Sequence, residues 1–376
     1  MTPITPPAYH GLVDVPRNRA LRWIAAGLGL FLACSIGAAA PALAGTSSFD
    51  VGEQAVVNVL VRGRGNQVTV RVWDRPTVQV DYADEGAPSM DKQSIPFGTP
   101  RFPLAQQVPL QFYAARDKDG QIVPGAPLAP EVFPYASFRP GPHDAVNVVA
   151  PEGSRLVVTV PAATGILSLR IGGGQTVLEG YRGANLFILQ NQGRIQLTGV
   201  TTTAFVQMNY GAFYAADGNF ERIRIRGIAA HDVFEHCRTK QIEATSITGS
   251  ILYDGGSFDP GLARFESQTG QIALGVTSAA QLVGRSQEGH VYTQFNRGTS
   301  VEQRTNGEAT ATVGSGGPLV NAISTRGNVY FYEGTLAGRR WISPEWRGVH
   351  QLFNAHRRPT PNVPAAHPGA RTLRPF

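Results

Sequence analysis

The chain is short of several things at once. Its 376 residues include two cysteines and three methionines, and only 16% of them are charged. Cys34 and Cys237 are the two thiols. If the chain is processed after Ala44, one remains and no intramolecular disulfide can form, so packing and hydrogen bonding must carry stability. The low charge, set beside 43 Gly and 27 Pro, suits a turn-rich β protein better than a helical one. No apolar row recurs at three- to four-residue spacing through the Gly-rich centre, which excludes a helical domain. Long apolar runs are missing too: Trp23 to about Ala40 is short and rich in Gly and Ala, which argues against a membrane anchor.

What is there begins with a leader. Arg17, Arg19 and Arg22 precede that apolar stretch, and Ala42-Leu43-Ala44 follows it as a small-x-small cleavage pattern. Residues 1–44 therefore read as a secretory signal peptide, and the chain as a periplasmic or cell-surface protein. A lipidated Cys34 is the competing reading, disfavoured by Phe31 where Leu is usual. The net charge of +6 is unevenly spread. Residues 338–376 carry seven Arg against Glu345 and residues 1–44 three Arg against Asp14, which leaves the body at −2. A near-neutral body with a basic tail is not the footprint of a nucleic-acid-binding domain.

Four further segments separate by composition. Residues 45–82 are the N-terminal β strands, alternating strongly over 50–82 (VVNVLVRG, then QVTVRVWDRPTVQVDY), with Gly63-Arg64-Gly65-Asn66 as a hairpin-like turn between strands. Residues 83–145 form a Pro/Gly/aromatic-rich insertion whose Phe97, Phe102, Phe112, Tyr113, Phe133, Tyr135 and Phe138 imply that it packs against something. Residues 146–337 repeat. Residues 338–376 are a basic, Pro-rich tail without apolar period, expected to be largely disordered.

The repeat is a short strand, a corner and a second short strand, as in ARFESQTGQIALGVTS at residues 263–278. Corner glycines followed by an aliphatic occur at Gly165, Gly193, Gly211, Gly249, Gly270, Gly289 and Gly327, in steps of 28, 18, 38, 21, 19 and 38. Each 38 is twice 19, with weaker units around Ile228 and Gly307 filling the gaps. A period near 19–20 indicates stacked repeats, each too small to bury its own apolar row. Alternation turns Ile195 and Leu197, Ile223 and Ile225, and Ile272 and Leu274 inward, and Gln196, Arg222, Arg224, Arg226 and Gln271 outward. The expected fold is all-β: a parallel, single-stranded β-helix-like β-solenoid of about nine coils at about 4.8 Å each, with an N-terminal strand pair. A transmembrane barrel needs strands of about 9–11 residues and a lipid-facing band that the Arg222, Arg224 and Arg226 row would interrupt.

Three pieces resemble the bacterial putative adhesin family, secreted β-solenoid domains of unknown function. They are the Trp-centred start Val70-x-x-Trp73-Asp74-x-x-x-Val78-x-Val80, the corners Thr248-Gly249-Ser250-Ile251 and Thr269-Gly270-Gln271-Ile272, and the close Val313-Gly314-Ser315-Gly316-Gly317-Pro318-Leu319-Val320 with Ser324-Thr325-Arg326-Gly327-Asn328-Val329. Residues 50–82 and 146–333 are covered. The resemblance implies the same fold and a secreted role, and supplies no catalytic residues. Where the family places Asp after the corner Gly, this chain has Arg194, Ser250, Gln271, His290 and Asn328.

Candidate chemistry concentrates in a few places. Ala230-His231-Asp232-Val233-Phe234-Glu235-His236-Cys237 gathers two His, two carboxylates and a Cys. On a strand, His231, Glu235 and Cys237 share one face and Asp232 and His236 the other, which splits the donors that zinc needs to converge at about 2.0–2.3 Å. Asp217, Glu221, Glu243, Asp254, Asp259 and Glu266 are candidate acids for a polysaccharide lyase or hydrolase, which would place carboxylates on neighbouring coils along a groove. No base-plus-cation set accompanies them, and Asp-Gly and Asp-Pro are ordinary turn chemistry. Gly172-Gly173-Gly174 lacks the Lys and helix of a phosphate loop. Tyr210, Tyr214, Tyr253 and Tyr292 are candidates for a ligand stripe. The expectation is thus a non-enzymatic, adhesin-like binding or structural module with no cofactor or metal, meeting a cell-surface glycan or an envelope protein, its basic tail touching acidic polymers.

Overall fold

The computed structural model describes residues 45–83, 87–95, 113–116, 122–127, 143–295 and 299–336. Every regular element among them is a β-strand. Twenty-one strands join one mixed, mostly parallel sheet, and Tyr113–Arg116 with Ile122–Pro127 form a separate hairpin. The expected leader and basic tail lie outside the described residues.

The alternating sequence explains the ladders. In Ile166–Glu179, Leu167, Leu169, Ile171 and Leu178 are buried in the same core as Leu186, Ile188, Ile195 and Leu197 of Asn185–Thr198. Each fully buried Leu or Ile contributes about 1.5–3 kcal/mol. The two strands pair in parallel with Ile166 opposite Asn185, a step of 19. Thr201–Ala216 follows at a step of 18, and Asn219–Glu235 at 18 that shifts to 19 through a bulge at Thr202/Thr203. These long strands bend at a corner, so one strand contributes to two rows. Beyond them the corner interrupts the strand: Arg238–Ser246 continues the first row and Ile251–Phe258 the second. A short third strip ties Thr201 and Thr202 to Asn219 and Phe220, then Arg238 and Thr239, then Ser257 and Phe258.

Ten levels of parallel pairing result, and their order departs from chain order at both ends. The level formed by Val56–Val61 and Asn66–Trp73 lies between His143–Ala150 with Arg155–Pro161 and Ile166–Glu179. At the far end, Leu319–Ser324 and Val329–Glu333 lie between Ala263–Ser267 with Ile272–Val276 and Ala280–Ser286 with Val291–Gln294. Antiparallel strands finish both ends: Ser89–Ile95, Thr77–Tyr82 and Gly45–Asp50 at one, Glu308–Val313 and Ser300–Thr305 at the other. Polar or charged flanking strands of this kind blunt sheet edges.

Two expectations are corrected here. Gly63–Asn66 is a corner, not a hairpin turn, since the strands either side of it pair with other levels rather than with each other. Gly307 is no coil; Asn306-Gly307 is the turn between Ser300–Thr305 and Glu308–Val313.

The corner column is where the sequence is most constrained. In level order it reads Asn66, Gly174, Gly193, Gly211, Ala230, Gly249, Gly270, Gly327 and Gly289. Gly165 lies outside it, so the irregular step of 28 disappears: Gly174, the third of the Gly172–Gly174 run, sits 19 before Gly193. Gly174, Gly193 and Gly211 have φ of 140°, 115° and 129°. Gly249, Gly270 and Gly327 do not take a positive φ but, like Gly174, Gly193 and Gly211, leave no room for a Cβ, which would overlap the carbonyl oxygen of the level before. A serine three residues earlier completes the corners at Gly249, Gly270, Gly327 and Gly289. Ser246, Ser267, Ser324 and Ser286 accept the N–H of Gly249, Gly270, Gly327 and Gly289 at 2.9 Å. Each donates its hydroxyl to a carbonyl one level back: Ala230, Gly249, Gly270 and Gly327.

Candidate functional site

The acidic side chains show what the outer surface can do. Because residues one level apart are about 19 apart in sequence, opposite charges at that spacing meet. Lys240 Nζ reaches Glu221 Oε1 at 2.6 Å, Arg224 reaches Glu243 at 2.8 Å, and Arg238 grips Asp259 through Nε and Nη2 at 2.9–3.0 Å. His236 lies 3.7 Å from Asp217. Glu266 pairs with Arg264 on its own strand. Asp254 accepts from the Tyr332 hydroxyl at 2.9 Å and the Leu336 N–H at 2.8 Å. All six acids singled out from the sequence are thus engaged by neighbours.

They do not converge. Asp254 belongs to the second row, Glu266 to the first, where it faces Thr245 and Ile323, and Asp259 follows the third strip. One carboxylate pair that sequence reasoning did not assemble is present: Glu235 is the register partner of Asp254 on the adjoining level. Both are buried, and the Tyr214 hydroxyl donates to Glu235 at 2.6 Å. Around them Tyr214, Val233, Leu252, Ala273, Tyr330 and Tyr332 form an apolar cluster on the outward side, with Leu336 against it. Carboxylates closed off in this way hold structure together rather than face a polymer chain.

The His/Cys stretch is split by a corner. His231 is exposed and Glu235 is turned outward, whereas Asp232 and Phe234 point into the core. His236 takes φ = 51°, and that left-handed step returns Cys237 to the interior instead of leaving it beside His231 and Glu235. Burial pushes the Cys237 thiol up to about 12, so it stays protonated. Asp232 is fully buried with no hydrogen-bond partner on either carboxyl oxygen, and burial raises its pKa well above the ordinary carboxylate range. Among the described residues no three His, Cys, Asp or Glu side chains gather where they could hold a metal ion.

Of the tyrosines, Tyr253 is core, stacked on Phe258 at 4.6 Å, and Tyr214 is buried against Glu235. Tyr210 and Tyr292 are exposed, at 53% and 44%. Tyr292 stacks on Tyr330, its register partner, at 5.1 Å and 14°, and His290 stands beside it at 5.8 Å. Tyr330 was missed in the sequence; the signal was the shared Val-Tyr of Val291-Tyr292 and Val329-Tyr330.

Several residues that follow the corner positions are joined from level to level by hydrogen bonds. The Ser250 N–H donates to His231 Nδ1 at 3.3 Å, the Gln271 N–H to Ser250 Oγ at 3.1 Å, and the His290 N–H to Asn328 Oδ1 at 2.9 Å.

No family model matches the chain, and no curated protein is significantly similar to it. Among solved structures, a "putative cell adhesion protein" from Clostridium sporogenes is similar at 8% identity over 77% of this chain and 99% of that one, with a TM-score of 0.21.

Proposed function

We propose that the chain is an exported β-solenoid of the adhesin-like kind, a non-enzymatic binding or structural module of the bacterial envelope. The observation that carries this reading is the near-constant step of 18–21 residues through the central levels, with the singled-out acids engaged in ion pairs and hydrogen bonds rather than gathered together among the described residues. A stack of equal levels offers a long rigid face, suited to contacts with a glycan or an envelope protein without a pocket. Residues 1–44 direct export in this reading, and the basic tail at 338–376 touches acidic surface polymers.

The test pairs an array of glycans and envelope proteins with an activity screen on the same polysaccharides. Saturable binding without turnover supports the proposal. Turnover abolished by Asp254→Asn would replace it with a polysaccharide lyase or hydrolase on the same scaffold. Deleting residues 350–376 should leave melting unchanged and weaken surface association in a salt-sensitive way; unchanged association removes the tail from the account.

A further inference from the structure

The level formed by Leu319–Ser324 and Val329–Glu333 occupies a place that the chain does not require it to fill. Ala263 and Leu282 are 19 residues apart, the step that separates paired strands elsewhere, yet Val320 stands between them as the register partner of both. On the second row, Val329 likewise separates Ile272 from Val291. The flanking levels match each other without it. Ser286 makes the same two bonds as Ser324, one to its own Gly289 N–H and one to the carbonyl of the corner glycine a level back. With the inserted level gone, the Gly270 carbonyl would present Ser286 with an equivalent acceptor.

The inserted level is entered through a glycine-rich connection. It is reached through Gly314-Ser315-Gly316-Gly317-Pro318, in which Gly314 and Gly316 have φ of 62° and 80°. After Glu333, its described continuation bonds back through Gly334 to Val276 and Leu336 to Asp254. The out-of-order level at the opposite end is held differently. It is preceded by Gly45–Asp50 and followed by Thr77–Tyr82, two strands paired with each other in the same sheet.

We propose that Leu319–Glu333 is an exchangeable element: a second copy of this chain supplies it, and two copies join by reciprocal exchange about the hinge at 314–318. Exchange preserves every ladder, core contact and Ser–Gly bond of the single chain, so it needs no new complementary surface. Its balance against the closed monomer is set by hinge conformation and concentration.

The experiment uses the full chain carrying Cys34→Ser, with Arg264→Cys and Asn321→Cys on register partners. Cys237 is buried and stays out of reach of reagent. The protein is unfolded in guanidinium, refolded at rising concentration, and treated with a short bismaleimide. The expected result is a dimer fraction that grows with concentration, the isolated dimer cross-linking to twice the chain mass and the monomer to one. Excising Ser315 and Gly316, so that the element cannot fold back, should give dimer at every concentration. Monomer alone from the intact hinge across the series would overturn the proposal, whatever the shortened variant does. A dimer whose cross-links stay within single chains would overturn it too, because that dimer forms through another surface.

Discussion

Asp232→Asn isolates the least comfortable side chain in the core. Asp232 faces inward in a column with Phe213 and Ile251 as register partners, fully buried, with both oxygens unpartnered. Burial raises its pKa, so the folded chain keeps a proton that the unfolded chain releases at about pH 3.9. The sign follows directly. Below pH 4 both states are protonated and the group is neutral to stability. Above it, the unfolded state gains from ionising while the folded state cannot. Stability then falls by about 1.4 kcal/mol per pH unit until the folded pKa is passed. Asn has nearly the same shape and does not titrate, and the remaining groups titrate alike in both proteins. Guanidinium unfolding of wild type and variant at pH 4, 5, 6 and 7 should therefore show the variant's relative stability climbing with pH above the unfolded-state value, by at most about 1.4 kcal/mol per unit and for as long as the folded carboxyl keeps its proton. A difference that stays flat over that range would refute the reasoning, because it would mean that Asp232 ionises equally in both states. Asp232→Val, which also removes the desolvated polar atoms, should be more stable than Asp232→Asn by about 1–3 kcal/mol at each pH.

Other substitutions test the corner and the surface by the same unfolding measurement. Gly270→Ala drives a methyl into the Gly249 carbonyl and should cost about 2–3 kcal/mol, whereas Gly180→Ala, with φ of 65° and open space around it, should cost about 1 kcal/mol. Ser267→Ala leaves the Gly270 N–H and the Gly249 carbonyl without their hydroxyl partner and should cost about 2 kcal/mol. Glu221→Ala or Lys240→Ala, which break an exposed pair, should change stability by less than about 1 kcal/mol and lose even that in high salt.

Much of the architecture could be read from spacing, because every level sits in the same environment and asks for the same residues. The step of 19 and the inward rows of Ile and Leu follow from that. So does a unit around Ile228, although Ala230 there takes the place of the corner glycine. The order of levels was not legible. Gly270 and Gly289 are 19 apart, the step expected of neighbours, and no local feature announces that Gly327 lies between them. The Ser-x-x-Gly signature at Ser246, Ser267, Ser286 and Ser324 is present in the sequence, but the role of the hydroxyl depends on a carbonyl one level back that spacing alone does not reveal. The surface chemistry was legible as residue types but not as partners. His236 looked like a second-face ligand until its left-handed backbone was known, and Glu235 meets Asp254 only through the register between levels.

Pulsed electron resonance between nitroxides on one outward column measures the stacking itself. Gln175, His231 and His290 are exposed and lie on the column that follows the corner, His231 three levels and His290 seven levels from Gln175. At about 4.8 Å per level the backbone separations should be about 14 Å and about 34 Å, with Asn328, at about 29 Å, nearer to Gln175 than His290 despite its later place in the chain. Distances that do not grow with level, or an Asn328 farther away than His290, would contradict the stack.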